Sequence, residues 1–214
     1  MSHDCFCSMT ASLQRPHMSL SDEIYVEKAW KIAPGIKFLA VLIKAVSKGL
    51  EKYPALNAVS KVDATNDTVD LTQKASHNIG FAMDTSSGLV VPVIHNVQNL
   101  SVSDIQNQLN MYKEQTSFER SQLTNATFTL SNIGSTGAGL HATAVLGGDA
   151  VAMGVVGRKH VTPVYKDGSF VPTSTVQTSW TADHRFVDGA TLAKFHVVVR
   201  GYVEEPTTLL AELR

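Results

Sequence analysis

Cysteine is almost missing from this chain: among 214 residues only Cys5 and Cys7 are cysteines, and they stand two positions apart. A bridge between them closes no useful loop, which excludes a disulfide-built secreted scaffold and makes a reducing compartment the default. His3 beside them suggests a metal clip, but no second ligand pair follows at zinc-site spacing, so no metal is assigned. An excess of one charge is missing too. With a formal net charge of -1 and no stripe of lysine and arginine, the chain has no surface of the kind that phosphate contacts to a nucleic acid demand. Long apolar runs are also absent. The longest, residues 36–50, is interrupted by Lys37, Lys44, Lys48 and Gly49 and reads as a buried amphipathic helix rather than a membrane span. The start of the chain has neither a basic patch with an apolar block nor an arginine-rich amphipathic stretch, so no signal or transit peptide is read there.

Two common catalytic signatures are lacking. No Gly-x-Ser-x-Gly elbow occurs, which removes the usual strand-turn-helix nucleophile. The glycines of residues 134–139 fit neither the dinucleotide fingerprint nor the phosphate loop with its lysine, and they are read as a flexible turn.

What is present suits one sizeable domain: 43% hydrophobic residues, 17% charged ones and no long polar tract. Residues 1–12 are expected to fray and residues 13–214 to form the domain. Residues 13–26 read as extended, since Pro16 opposes a helix and Ile24 and Val26 flank Tyr25. Pro34 and Gly35 open a helix to Leu50 with Lys37, Lys44 and Lys48 on its polar side, lying against a sheet. Ile79, Phe81 and Met83 alternate, and residues 89–94 answer them across a turn at Asp84–Gly88, giving a hairpin. Pro92 cannot donate to a ladder, so that second strand is an edge or bulged, and the edge can face a neighbouring subunit. Ser103 with Gln106 has the form of a capping box for a helix to about Gln115. Residues 125–133, 150–157, 161–165 and 170–182 read as strands, the last pair joined by the Asp167-Gly168 turn. Helices alternate with a mixed, mostly antiparallel sheet.

The most informative stretch is Asp183-His184-Arg185-Phe186-Val187-Asp188-Gly189-Ala190, at the seam between the last strand and a helix. Leu192, Phe195, Val199, Tyr202 and Val203 recur at helical spacing beyond it, which places Asp188 to cap that helix. On spacing alone, Asp188 as a mere cap and His184 as a loop histidine are as good a reading as a catalytic pair. Two further stretches accompany it: residues 74–85 followed by Gly88-Leu89-Val90-Val91-Pro92, and Thr127 to Ser135, which contains Ser131-Asn132-Ile133-Gly134.

In this order and at these separations, the three stretches resemble the catalytic core of the 2-oxo acid dehydrogenase acyltransferases. They look most like the lipoamide acyltransferases of branched-chain 2-oxo acid dehydrogenase complexes. That family shares a fold with chloramphenicol acetyltransferase, so the resemblance implies an α/β two-layer sandwich of a mixed, mostly antiparallel sheet with helices. It implies transfer of an acyl group between dihydrolipoyl sulfur and the thiol of coenzyme A. His184 would be the general base, Ser131 the oxyanion donor, and Asp188 a carboxylate that meets a basic partner and orients the loop carrying His184. Contacts to coenzyme A would fall at Asp84, Ser131, Asn132, Ser135 and Gly157. No lipoyl-bearing lysine domain is present in these residues, so the lipoyl group would arrive from outside this chain. Partners implied are the acyl-dihydrolipoyl domain, other subunits of the dehydrogenase complex, and copies of the chain in a homotrimer or larger shell. The location implied is the mitochondrial matrix, or the cytoplasm of a bacterium. His77, His95, His141, His160 and His196 lack a matching motif and read as ordinary surface or core residues.

The chain departs from the family in three places. Family cores carry more chain before residue 13 and between Val26 and Pro34, and a proline-containing segment where Gly147-Gly148-Asp149 stands. A shortened, non-catalytic core that assembles or binds partner subunits is therefore the alternative.

Overall fold

In the computed structural model, which describes residues 9–63, 68–85 and 88–211, chain order runs β1 (His17–Tyr25), α1 (Glu27–Trp30), α2 (Phe38–Lys52), β2 (Ala58–Asp63), β3 (Thr68–Gln73), β4 (Ile79–Phe81), β5 (Met83–Thr85), β6 (Gly88–Val90) and β7 (Val93–Ile94). It continues with α3 (Val102–Glu114), β8 (Phe128–Asn132), β9 (Ala152–Val156), β10 (His160–Lys166), β11 (Ser169–Asp183), α4 (Gly189–Glu204) and α5 (Thr207–Ala211). His3, Cys5, Cys7 and the centre of the turn after Asp84 lie outside the described residues. Among the described residues no helix is long and apolar enough to cross a membrane.

The main sheet has the order β1-β11-β9-β8-β4-β7, with β10 also paired to β11. Only the β4–β8 and β8–β9 pairs are parallel, so the sheet is mixed and mostly antiparallel as the sequence suggests. Alternation sends Phe128, Leu130, Trp180 and Ala182 into the core. Trp180 meets Phe195 of α4 edge-on, ring centroids 5.2 Å apart, and Phe128 closes the cluster at 6.0 Å from Phe195. Two glycines let these parts approach. A Cβ on Gly154 would stand 2.5 Å from the Trp180 ring, and one on Gly49 of α2 would stand 2.6 Å from the Phe195 ring.

Several local expectations change in the folded chain. Gly35 has φ +83, outside helical geometry, so α2 begins only at Phe38. Lys44 is not on a solvated side: it is 2% exposed, and its Nζ donates to the carbonyls of Val97 (3.2 Å) and Gln98 (3.1 Å). Burial, then the Lys48 charge, pushes its ammonium below the usual lysine range. The capping box of α3 is Ser101 with Asp104 rather than Ser103 with Gln106. Val102 is already buried and opens the helix two residues earlier, while Gln106 Oε1 accepts the Lys37 N–H at 2.8 Å. Of the twelve residues expected to fray, 9–12 form a helical turn, and buried Ser12 donates its hydroxyl to the Leu146 carbonyl. Between Pro54 and Ile79, where no strand was read, β2 and β3 form a hairpin. The hairpin read around Asp84 is present, and its ladder breaks at Pro92 before the edge strand β7.

Two core histidines carry polar partners. His77 Nδ1 lies 2.8 Å from Ser47 Oγ. Trp180 Nε1–H donates to His196 Nδ1 at 2.9 Å, which leaves the proton of His196 on Nε2, 3.1 Å from Asp22 Oδ2. Burial is the largest influence on both and holds each imidazole below 6.5, against the Glu51 and Asp22 charges respectively. An unfolded chain then binds protons that the folded chain refuses, so stability is full above about 6.5 and falls as pH drops toward the folded values. Urea midpoints measured from pH 7.5 to 5 should decline, and the His77→Asn, His196→Asn double variant should flatten that slope. A second expectation comes from α2: Gly49→Leu should cost about 1–3 kcal/mol by overpacking against Phe195, read as a lower urea midpoint at unchanged m.

Candidate active site

The corner at His184 is built by the end of β11. Asp183, with no exposed surface, donates its N–H to the Val151 carbonyl at 2.9 Å, and His184 donates its N–H to the Pro16 carbonyl at 2.8 Å. The Asp183 carbonyl then accepts from the N–H groups of Phe186 (3.1 Å) and Val187 (3.0 Å), folding the chain into a tight turn. This turn brings the Val187 carbonyl to 3.0 Å from His184 Nδ1. A carbonyl only accepts, so Nδ1 carries the proton and the neutral ring presents Nε2 as an acceptor. The imidazole itself is exposed.

An ion pair that sequence reasoning missed underlies this turn. Arg185 reaches back with Nε at 2.9 Å and Nη2 at 2.6 Å, both to Asp183. Burial alone would push the Asp183 carboxyl up. The Arg185 hydrogen bonds and the charges of Arg185 and Arg15 outweigh it and hold the group below the usual carboxylate range. The signal is present in the sequence, since Asp183 and Arg185 flank His184 within the motif, while the family resemblance implies a basic partner for Asp188. In the folded chain Asp188 caps α4, as its place before the helix predicts, accepting the Thr191 N–H at 2.6 Å, and Thr191 lowers its carboxyl pKa. Among the described residues of a single chain Asp188 has no ion pair.

A second group gathers at the other end of the sheet. Asp84, Asn132 and Ser135 line one cavity of about 750 Å³, together with Leu39, Phe81, Met83 and Lys113. Half-buried Ser131 immediately precedes Asn132 on β8. The 3-10 turn after β8 is tied by Ser135 Oγ to the Asn132 carbonyl and Thr136 Oγ1 to the Ile133 carbonyl, both at 2.8 Å. Gly157 does not line this cavity. A Cβ there would stand 2.0 Å from the Leu140 carbonyl oxygen, so its smallness serves the close approach of two backbone segments.

The register separates the two groups. Ser131 is level with Val155, and Val155 with Ser179. His184 is therefore five residues farther along β11, about 17 Å at the usual rise, and two strands away. Within one chain, Ser131 and His184 cannot touch the same reacting atom.

Residues 1–211 match the family model of the 2-oxoacid dehydrogenases acyltransferase (catalytic domain). The chain belongs to this family. It is 37% identical, over 97% of its length, to the lipoamide acyltransferase component of the mitochondrial branched-chain alpha-keto acid dehydrogenase complex of Caenorhabditis elegans. It spans 48% of that protein, about half its length. A truncated catalytic core of the 2-oxoacid dehydrogenase multienzyme complex from Thermoplasma acidophilum superposes with a TM-score of 0.78 at 26% identity, covering 94% of this chain and 93% of that one. Chloramphenicol acetyltransferase superposes with a TM-score of 0.58 at 13% identity, covering 94% and 96%. It shares the fold.

The ion pair gives this acyltransferase-family chain a measurable signature. Arg185→Leu should leave the buried Asp183 carboxylate without its hydrogen-bonded partner and destabilise the protein by about 3 kcal/mol. Adding Asp183→Asn should recover part of that loss in chemical denaturation, because the orphaned charge is then removed.

Proposed function

We propose that the chain is an acyltransferase core that moves a branched-chain acyl group between dihydrolipoyl sulfur and the thiol of coenzyme A, with the active site shared between two copies. The observation that supports this reading best is the Nδ1–H to Val187 carbonyl bond, which leaves His184 Nε2 free to accept a thiol proton. A thiol of pKa near 8.5 is only a few per cent ionised at neutral pH, and a general base within reach contributes roughly 10²–10⁴ in rate. In the direction toward acyl-coenzyme A, His184 takes the proton from the coenzyme A sulfur, which attacks the thioester carbonyl. Ser131 donates its hydroxyl to the oxyanion that forms, a contribution on the order of 3 kcal/mol in a site that excludes water. The intermediate then expels the dihydrolipoyl sulfur, which recovers the proton from His184.

The separation along the sheet supports a site in which His184 of one copy works with Ser131 of another, as in a closed ring of three. Asp183 and Arg185 aim the histidine, and Asp188 fixes the start of α4 behind it. Asp84, Asn132 and Ser135 would hold coenzyme A. By analogy with the worm relative's name, the partners are lipoyl-bearing and dehydrogenase subunits of a mitochondrial branched-chain complex, and the location is the matrix.

Purified protein assayed with isobutyryl- and acetyl-dihydrolipoamide and coenzyme A should turn over, with isobutyryl preferred. A protein that assembles yet turns over neither would be the shortened structural core instead. His184→Ala should lower kcat at least about a hundredfold without unfolding the chain. Co-refolding inactive His184→Ala with inactive Ser131→Ala should restore activity at about a quarter of the interfaces, those pairing an intact histidine with an intact serine. Only the sum of the two residual rates would mean that both residues act from one chain.

A further inference from the structure

The cavity that gathers Asp84, Asn132 and Ser135 poses an electrostatic difficulty for the ligand assigned to it. Coenzyme A is a polyanion, yet the lining sets two carboxylates, Asp84 and Glu114, against one ammonium group, Lys113. A second cation stands beside that one. Lys37 immediately precedes α2, and its N–H is held by Gln106 Oε1 at 2.8 Å. Gln106 in turn donates its amide N–H to Asn110 Oδ1 at 2.8 Å. Gln106, Asn110 and Lys113 follow at helical spacing on one face of α3, so Lys37 is pinned to the stripe that ends in Lys113. Leu39, two residues after Lys37, lines the same cavity, so the start of α2 and the end of α3 meet at its edge. Burial lowers the Lys113 pKa most, and the Lys37 charge and a side-chain contact with Lys37 lower it further. Like charges on neighbouring side chains repel each other, and a bridging anion turns that repulsion into attraction.

We propose that Lys37 and Lys113 form a clamp for a phosphate group of coenzyme A at the edge of this cavity. The assignment rests on the reading of the cavity as the coenzyme A site. It supplies the cationic contact that Asp84, Asn132 and Ser135 lack. Both lysines are exposed, so the phosphate exchanges with solvent freely while the thiol arm runs inward. A lysine suits this task as a mobile point charge that needs no fixed fork geometry.

The test compares two thiol acceptors, coenzyme A and pantetheine, which has the same thiol arm and no phosphate. In Lys37→Gln and Lys113→Gln, kcat/KM for coenzyme A relative to that for pantetheine should fall about tenfold each, and further in the double variant. Calorimetry with adenosine 3′,5′-bisphosphate should show a parallel loss of affinity in the same variants. An unchanged ratio together with unchanged bisphosphate affinity would overturn the clamp. Inorganic phosphate binding as tightly as the bisphosphate would overturn its assignment to coenzyme A. A wild-type protein inactive toward both thiols would overturn the acyltransferase reading. The clamp would still be judged by bisphosphate binding alone.

Discussion

A carboxylate without exposed surface holds the His184 corner together. Asp183 ends the longest strand, and each of its polar groups serves the turn: its N–H fixes it to the segment before β9, its carbonyl collects two N–H groups of the turn, and its side chain grips Arg185. Such a group is expensive to bury, and it is tolerated only because its charge and lone pairs are met by the next residues in the chain. The geometry of His184 follows from it. The ring faces the Val187 carbonyl because the turn is wound around Asp183, so backbone geometry fixes which nitrogen of the neutral ring carries the proton.

Most of the fold was legible because the sheet and its two main helices carry strong periodicity. Trp180 and Ala182 alternate on β11, and Leu192, Phe195, Val199 and Val203 repeat on α4; all of them are buried. What escaped was structure whose signal is not amphipathic. The β2–β3 hairpin has exposed residues along the whole of β3, Val69 and Leu71 included, so its pattern marks no buried face. Lys44 reads as a solvated residue on any helical wheel, and only the carbonyls of a distant 3-10 turn reveal why it can be buried. The α3 cap was misplaced because two serines compete, and the choice falls to Ser101 once Gln106 is engaged by Lys37.

The candidate site was legible as a set of motifs but not as a set of distances. His184, Ser131 and the cavity residues Asp84, Asn132 and Ser135 were all named by wording and order along the chain. Which of them lie together is a matter of strand register, and register depends on pairings between segments far apart in sequence. The roles of Asp183 and Arg185 were hidden for a related reason: a motif shows which residues are present, but burial decides which carboxylate needs a cation.

On the proposed reading, placing His184 and Ser131 at opposite ends of one stiff sheet changes the unit on which damage acts. If the site is shared between copies, a chain defective at one end still lends its sound end to a neighbour. A chain that cannot assemble contributes to no site at all. In a cell with one sound and one defective allele, the harm would therefore depend on where the defect lies: a lesion at the His184 corner that spares assembly enters mixed rings and disables one site in each, whereas a chain barred from assembly leaves the sound copies to build rings of their own.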